Sequence, residues 1–145
     1  MKKNIIVLVV EDNEYFNKLL SRALKEKIKS IKTNNDFRIS FYSFSEPVEC
    51  INKLRSGEFR GSEFVVYIDY YLGNGITGLH IIRMLIEQSS GLTVTLLSNS
   101  KSVKEKVNSA WYHYFVLKDN TAPALCCLYL EQYLENKYFI TLKER

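Results

Sequence analysis

Apolar positions along the chain fall into two alternating kinds of stretch. Residues 5–10, 64–68 and 94–97 are short, nearly unbroken and rich in β-branched side chains. That is the pattern of strands buried on both faces of a parallel sheet. Phe37, Ile39 and Phe41 alternate with polar neighbours and predict a strand with one more exposed face. Residues 115–117 supply a fifth.

Between these stretches the spacing turns helical. Phe16, Leu19, Leu20, Ala23, Leu24, Ile28 and Ile31 recur at the helical period, with Asn13 placed to cap their first turn. Ser45, with Pro47 in the first turn, starts a second helix that carries Val48, Ile51 and Leu54 and stops at Gly57. The spacing predicts a third over 77–88, with Leu79, Ile82, Leu85 and Ile86 inward, a weaker fourth over 102–110 and a fifth over 122–136. Strands and helices thus alternate five times, which with right-handed crossovers gives a doubly wound parallel sheet between two helical layers.

At 145 residues, of which 46% are hydrophobic, the chain suits one well-filled core. We expect one domain over 1–137, followed by a tail or the start of a linker over 138–145. The net charge of +4 gives no support for binding nucleic acid. Much of the excess is local, since Arg22, Lys25, Lys27, Lys29 and Lys32 face only Glu26 in the same stretch. This predicts either a docking patch or a solvated helix end. Cys50, Cys126 and Cys127 lack metal-ligand spacing and suit unpaired thiols in a reducing, cytoplasmic setting. The run from 5 to 10 is too short for a signal peptide or a membrane span.

In open parallel sheets, ligands bind at the carboxyl ends of the strands. Here the first apolar run is followed by Glu11 and Asp12, the third by Asp69, the fourth by Ser98 and the fifth by Lys118. Three carboxylates brought to one edge repel one another, and a divalent cation that prefers oxygen ligands, such as Mg²⁺, relieves that repulsion. An aspartate so placed is a nucleophile toward phosphorus when cations offset the charge on the transferring group. Lys118 would help to supply that charge, and Ser98 would donate to a phosphate oxygen.

These residues, within VLVVEDN, VVYIDYYLGNGITGLHII, VTLLSNS and FVLKD, resemble the response-regulator receiver domains of bacterial two-component systems. The resemblance covers almost the whole chain and implies a flavodoxin-like five-stranded α/β sandwich. It further implies Asp69 as phosphoacceptor, Glu11 and Asp12 as the acidic pair for Mg²⁺, and the backbone carbonyl of Tyr71 as a further ligand. Ser98 would be the switch hydroxyl, Lys118 the phosphate-binding lysine and Phe115 the switch aromatic. The implied donor is a sensor histidine kinase or phosphotransfer protein, and the domain assists its own phosphorylation and dephosphorylation rather than being an enzyme in the usual sense.

The chain departs from the family pattern at three places. Asp119 follows Lys118 where proline is common, so a trans peptide or a strained loop is expected there. Asn99 replaces a smaller residue beside the phosphate, and the spacing from Asp12 to Asp69 is long, which an extended first helix and its following loop would absorb. His80 and His113 stand apart from other ligands and suit surface or boundary positions. Gly73, Gly75 and Gly78 suit a mobile loop after the third strand.

Trp111, Tyr112, His113 and Tyr114, with Tyr129 and Tyr133, form an aromatic concentration that would serve a homodimer or a target protein. An alternative to the switch is an interaction module that keeps the fold without using Asp69. A phosphotransferase with an aspartyl intermediate fits less well, since such enzymes resembling haloacid dehalogenases carry an acid where Tyr71 stands. Flavin binding lacks a phosphate-cradling loop after the first strand. No output domain is visible in the sequence, and a stand-alone receiver or part of a longer chain are both open.

Overall fold

The computed structural model describes residues 3–32, 37–138 and 141–142. Five strands, β1 (Lys3–Val10), β2 (Phe37–Phe44), β3 (Glu63–Asp69), β4 (Gly91–Ser98) and β5 (Tyr114–Leu117), form one sheet. Its order is β2-β1-β3-β4-β5 and every pairing is parallel. Ile5 to Val10 and all of β3 are buried, as expected for central strands covered on both faces. On β2, only Phe37 is fully buried, in keeping with an edge position.

The helices are α1 (Glu14–Ser30), α2 (Pro47–Arg55), α3 (Gly78–Gln88), α4 (Ser102–Lys106) and α5 (Ala122–Tyr138). Alternate strand residues divide the core in two. Ile5, Val7, Val9, Val65 and Tyr67 meet Phe16, Leu20 and Leu24 of α1 and Cys126, Leu130 and Leu134 of α5. Ile6, Leu8, Val10, Val66 and Ile68 meet Cys50 and Leu54 of α2 and Ile81, Ile82 and Leu85 of α3. The sheet therefore lies between an α1–α5 layer and an α2–α3–α4 layer, the three-layer sandwich expected.

Several expectations are corrected. The fourth helix ends at Lys106, because Val107 turns extended and the Asn108 side chain accepts from the Ala110 N–H to begin a separate 3₁₀ turn, Ser109–Trp111. Leu19, Val48 and Ile86 are exposed at 41%, 50% and 53%, and Ile81 takes the inward place on α3. Gly78 is the first residue of α3 rather than part of the loop, where Gly73 and Gly75 do have positive φ. All three cysteines are buried and unpaired.

The first helix is long, as expected, at 17 residues, while the loop over 33–36 that follows it lies outside the described residues. Of the expected tail, Tyr138 belongs to α5, and Thr141–Leu142 pair antiparallel with Ile31–Lys32. Residues 139–140 and 143–145 lie outside the described residues. Among the described residues no helix is long and apolar enough to cross a membrane.

Candidate functional site

The carboxyl ends of β1, β3, β4 and β5 open into a crevice of about 470 Å³ lined by Asp12, Asn13, Asp69, Tyr71, Ser98, Asn99, Ser100 and Lys118. Glu11 lies beneath it, fully buried, and Asp69 is 5% exposed, while Asp12 is open to solvent. Carboxylate oxygens of Glu11, Asp12 and Asp69 all come within 4.8 Å of one another. The Lys118 ammonium stands 2.8 Å from Glu11 Oε1 and 3.2 Å from Asp69 Oδ2. Every one of the acids and the lysine predicted from the strand ends is thus brought to one place.

Local chemistry holds the acidic loop. Asn13 caps α1 by accepting from the Phe16 N–H, while its own N–H donates to Glu11 Oε2 at 3.1 Å. Asn17, buried one turn into α1, donates from its amide to the carbonyls of Glu11 at 2.9 Å and Phe44 at 3.3 Å. The Ser21 and Ser43 hydroxyls donate to Asn17 Oδ1 in return. The amide is saturated, and it ties the ends of β1 and β2 to the helix.

On the other side of the crevice, Gly78 comes so close to β3 that a Cβ on it would stand 2.7 Å from the Asp69 carbonyl oxygen. Its N–H donates to the Tyr70 carbonyl at 2.7 Å. Neither Asn17 nor this role of Gly78 was expected from the sequence. The available signals were a polar residue inside the apolar stripe of α1 and a glycine at the first position of a helix.

Burial pushes the Glu11 carboxyl up to about 7, with the Asp69 charge adding to the effect and Lys118 opposing it. Burial likewise raises Asp69, against the pull of Lys118. Burial works against the Lys118 charge too, but the hydrogen bonds and attraction of Glu11 and Asp69 prevail and raise its pKa. Glu11 Oε1 is buried, and the Lys118 ammonium at 2.8 Å is its contact. An oxygen-only set of three clustered carboxylates, with one ammonium shared between two of them, fits a hard divalent cation.

Ser98 is buried at the end of β4, with its hydroxyl donating to the Ser100 carbonyl at 3.2 Å and accepting from the Ser100 N–H at 3.0 Å. Phe115 is half-buried on β5 and lines a neighbouring groove with Lys101, Lys104 and Leu125. Tyr71 is 52% exposed at the rim. Both histidines make backbone bonds: His80 Nδ1 accepts from the Thr77 N–H at the start of α3, and His113 Nδ1 accepts from the Val94 N–H.

Comparison with protein-family models finds no match, and comparison with curated protein sequences finds none either. Solved structures do match. A response-regulator receiver domain from Rhodospirillum rubrum aligns with a TM-score of 0.65 over 96% of this chain and 99% of its own, at 15% identity. TrrA from Thermotoga maritima, a response regulator solved in complex with Mg²⁺–BeF, gives 0.60 over 94% and 98%, at 20% identity.

The chain has the receiver-domain fold. The response regulator LqsR of Legionella pneumophila gives a TM-score of 0.63 at 18% identity over 93% of this chain, which spans only about half of LqsR, 46% of its length.

Among the described residues every peptide is trans, including Lys118–Asp119, as expected. Asp119 Oδ1 accepts from the Thr121 N–H and hydroxyl, which hold its carboxyl below the usual range and shape the turn into α5. The aromatic concentration does not form one face. Trp111, Tyr112 and Phe115 pack on the α2–α3–α4 side, while Tyr129 and Tyr133 pack on the α1–α5 side, with Tyr114 stacked on Tyr129 at 3.9 Å between centroids. Edge strand β5 alternates its side chains between the two layers, and the cluster is split with them.

Proposed function

We propose that the chain is a phosphorylation-dependent switch in a two-component phosphorelay. A sensor histidine kinase or phosphotransfer protein presents the phosphoryl group. A carboxylate oxygen of Asp69 attacks phosphorus as the bond to the donor breaks. The observation that carries this reading is the Lys118 ammonium 3.2 Å from Asp69 Oδ2, at the mouth of a crevice where the same Asp69 is flanked by two further acids. Lys118 offsets charge on the transferring oxygens and favours the ionised form of Asp69, against the effect of its burial. Mg²⁺, held by Glu11, Asp12, Asp69 and the Tyr71 carbonyl, would neutralise the rest of that charge, and the Mg²⁺–BeF complex of TrrA supports this choice of cation.

Ser98 sits within the crevice with its hydroxyl engaged by Ser100. Exchanging Ser100 for a phosphate oxygen would redraw the loop after β4, and Phe115 on the adjacent strand would repack behind it. A complete switch from 1:99 to 99:1 needs about 5.5 kcal/mol of differential stabilisation. The split aromatic surfaces beside β5 then offer places for a second copy or a target protein to sense the change.

The test is intact mass after incubation with acetyl phosphate or phosphoramidate and Mg²⁺, with Asp69→Asn as control. A Mg²⁺-dependent phosphoryl adduct absent from the variant is expected. No adduct, under conditions that label another receiver domain, would overturn the switch in favour of a phosphorylation-independent interaction module on the same fold.

A further inference from the structure

We propose that the groove between α1 and the free edge of β2 receives an extended acidic segment of a partner protein, which adds to the sheet as a strand beside β2. This surface lies apart from the phosphoacceptor crevice and does not depend on its chemistry. Its floor is polar, made by Asn17, Ser21 and Ser43, and its rim carries Lys18, Arg22, Lys25 and Lys29. A second hollow continues it past Ser45, sharing Asn17, Lys18 and Ser43 with the first.

Charge sets the sign of the partner. At 100° per residue, Lys18, Arg22, Lys25 and Lys29 fall within roughly 60° of one another and run about 16 Å along α1. All four are exposed, and the acids lining the two hollows are Glu26 in the first and Glu14 at the far end of the second. Lys27, by contrast, points away to a 3.0 Å ion pair with Glu131 of α5. The stripe is therefore distinct from the part of α1 that serves internal packing.

The strand edge sets the shape of the partner. Among the described residues nothing pairs with the outer edge of β2, although its inner edge pairs with β1 along all eight residues. Such an edge presents a row of free N–H and C=O groups. Lys25 lies 5.3 Å over the Phe41 ring, on the face of β2 that looks toward α1. Cations beside an edge discourage pairing with a second copy of the same edge and leave it open to a strand of opposite sign.

Alternate residues of a strand lie about 6.7 Å apart on one face, so three acids at every second position cover about 13 Å, most of the stripe. On the opposite face Lys53 is paired with Glu58, and beyond the exposed Arg38 the β2 side chains there are Tyr42 and Phe44, so the intervening residues of the incoming strand meet aromatic rings. The segment this surface fits is thus acidic at alternate positions and apolar between them. A nucleic acid would use the cations but not the free edge, and a membrane surface would lack the apolar insertion that stabilises such contacts.

The experiment uses a fluorescent decapeptide of alternating Glu and Val, with the Lys–Val counterpart and a single-stranded RNA of equal length as comparisons, read by anisotropy and by amide hydrogen exchange of the full chain. The Glu–Val probe should bind, slow the exchange of outward-facing β2 amides, and weaken about tenfold or more when Lys25→Glu and Lys29→Glu are combined or salt is raised to about 0.3 M. Those two substitutions lie on a solvated helix face and should leave Asp69 labelling unchanged, so loss of binding is separable from failure of the switch. Three results would overturn the proposal. They are no binding of the Glu–Val probe at millimolar concentration, binding without protection of β2, or RNA binding tighter than the peptide.

Discussion

The Lys118 ammonium stands closer to Glu11 than to Asp69, 2.8 Å against 3.2 Å, and Glu11 is the more deeply buried of the two acids. Glu11 is therefore held by a cation it shares, inside a site where its ionised form is disfavoured and its carboxyl sits at about 7 against an ordinary 4.5. An acid raised in this way favours the folded state while protonated. Its contribution is fully present below about pH 4.5 and is lost as pH rises through about 7.

For the metal-free protein, that difference corresponds to roughly 3 kcal/mol of stability lost between pH 4.5 and 8. Urea unfolding across this range should show the decline. Glu11→Gln should remove most of it, and Mg²⁺ should stabilise wild type more at pH 8 than at pH 6. Lys118→Met, which leaves buried carboxylates without their cation, should cost about 3–5 kcal/mol at pH 8 and less at pH 6, where Glu11 takes up a proton. A wild-type profile without slope, or an equal penalty for Lys118→Met at both pH values, would remove the basis for this view of the site.

Asn17 offers a sharper test of how the acidic loop is held. Replacing it by Asp keeps the shape but sets an acceptor against the carbonyls of Glu11 and Phe44, which the Asn17 amide now satisfies. Each buried carbonyl left without a donor costs on the order of 1–3 kcal/mol, and the repulsion adds to it. Asn17→Asp should therefore unfold at lower urea than Asn17→Ala, and both should need more Mg²⁺ than wild type to stabilise the fold. If the two variants retain the wild-type Mg²⁺ dependence, Asn17 is a packing residue alone.

Gly78 and Gly75 separate two reasons for glycine. Gly75 has a φ of +74 with open space around it, so Gly75→Ala meets backbone strain of about 1–2 kcal/mol. Gly78 is helical, but its Cβ would press on the Asp69 carbonyl oxygen at 2.7 Å. Relieving that contact must move α3 or the end of β3, at a cost of about 1–3 kcal/mol. Acetyl phosphate labelling should slow in Gly78→Ala and hold near the wild-type rate in Gly75→Ala. Equal slowing would mean that loop strain, rather than the position of Asp69, controls the rate.

The strands and most helices were legible because their apolar runs are continuous or periodic. The four polar strand ends were legible because each directly follows such a run. What escaped depends on contacts between distant residues. Asn17 looks like a misplaced polar residue in α1 until the Phe44 carbonyl, 27 positions away, is beside it. Leu19, Val48 and Ile86 match helical spacing but lie at the margins of their buried stripes, where the period alone does not say how wide the covered face is. The aromatics from Trp111 to Tyr114 read as one patch in the sequence, yet Trp111 and Tyr112, ahead of β5, pack on the α2–α3–α4 side while Tyr114, the first residue of β5, stacks on Tyr129 of α5.

Glu63 is the clearest case of chemistry invisible along the chain, and it gives a further prediction. It is fully buried at the first position of β3, at the end of the sheet opposite the crevice. Its carboxylate accepts from the Tyr133 hydroxyl, from Lys137 Nζ at 2.7 Å and from the Tyr138 hydroxyl at 2.9 and 3.0 Å, all on the last turns of α5. Burial, and then the nearby Glu63, raise the Tyr138 phenol, which keeps it a donor. A buried carboxylate met by three donors holds the end of α5 against the sheet. Glu63→Ala should cost about 2–3 kcal/mol in urea unfolding, because it leaves two half-buried hydroxyls without their acceptor while the Lys137 ammonium stays in solvent. Tyr138→Phe removes one donor and should cost about 1 kcal/mol. Hydrogen exchange in Glu63→Ala should accelerate over the last two turns of α5 before the rest of the helix. Uniform acceleration along α5 would show that Leu130 and Leu134, rather than Glu63, set the stability of its end.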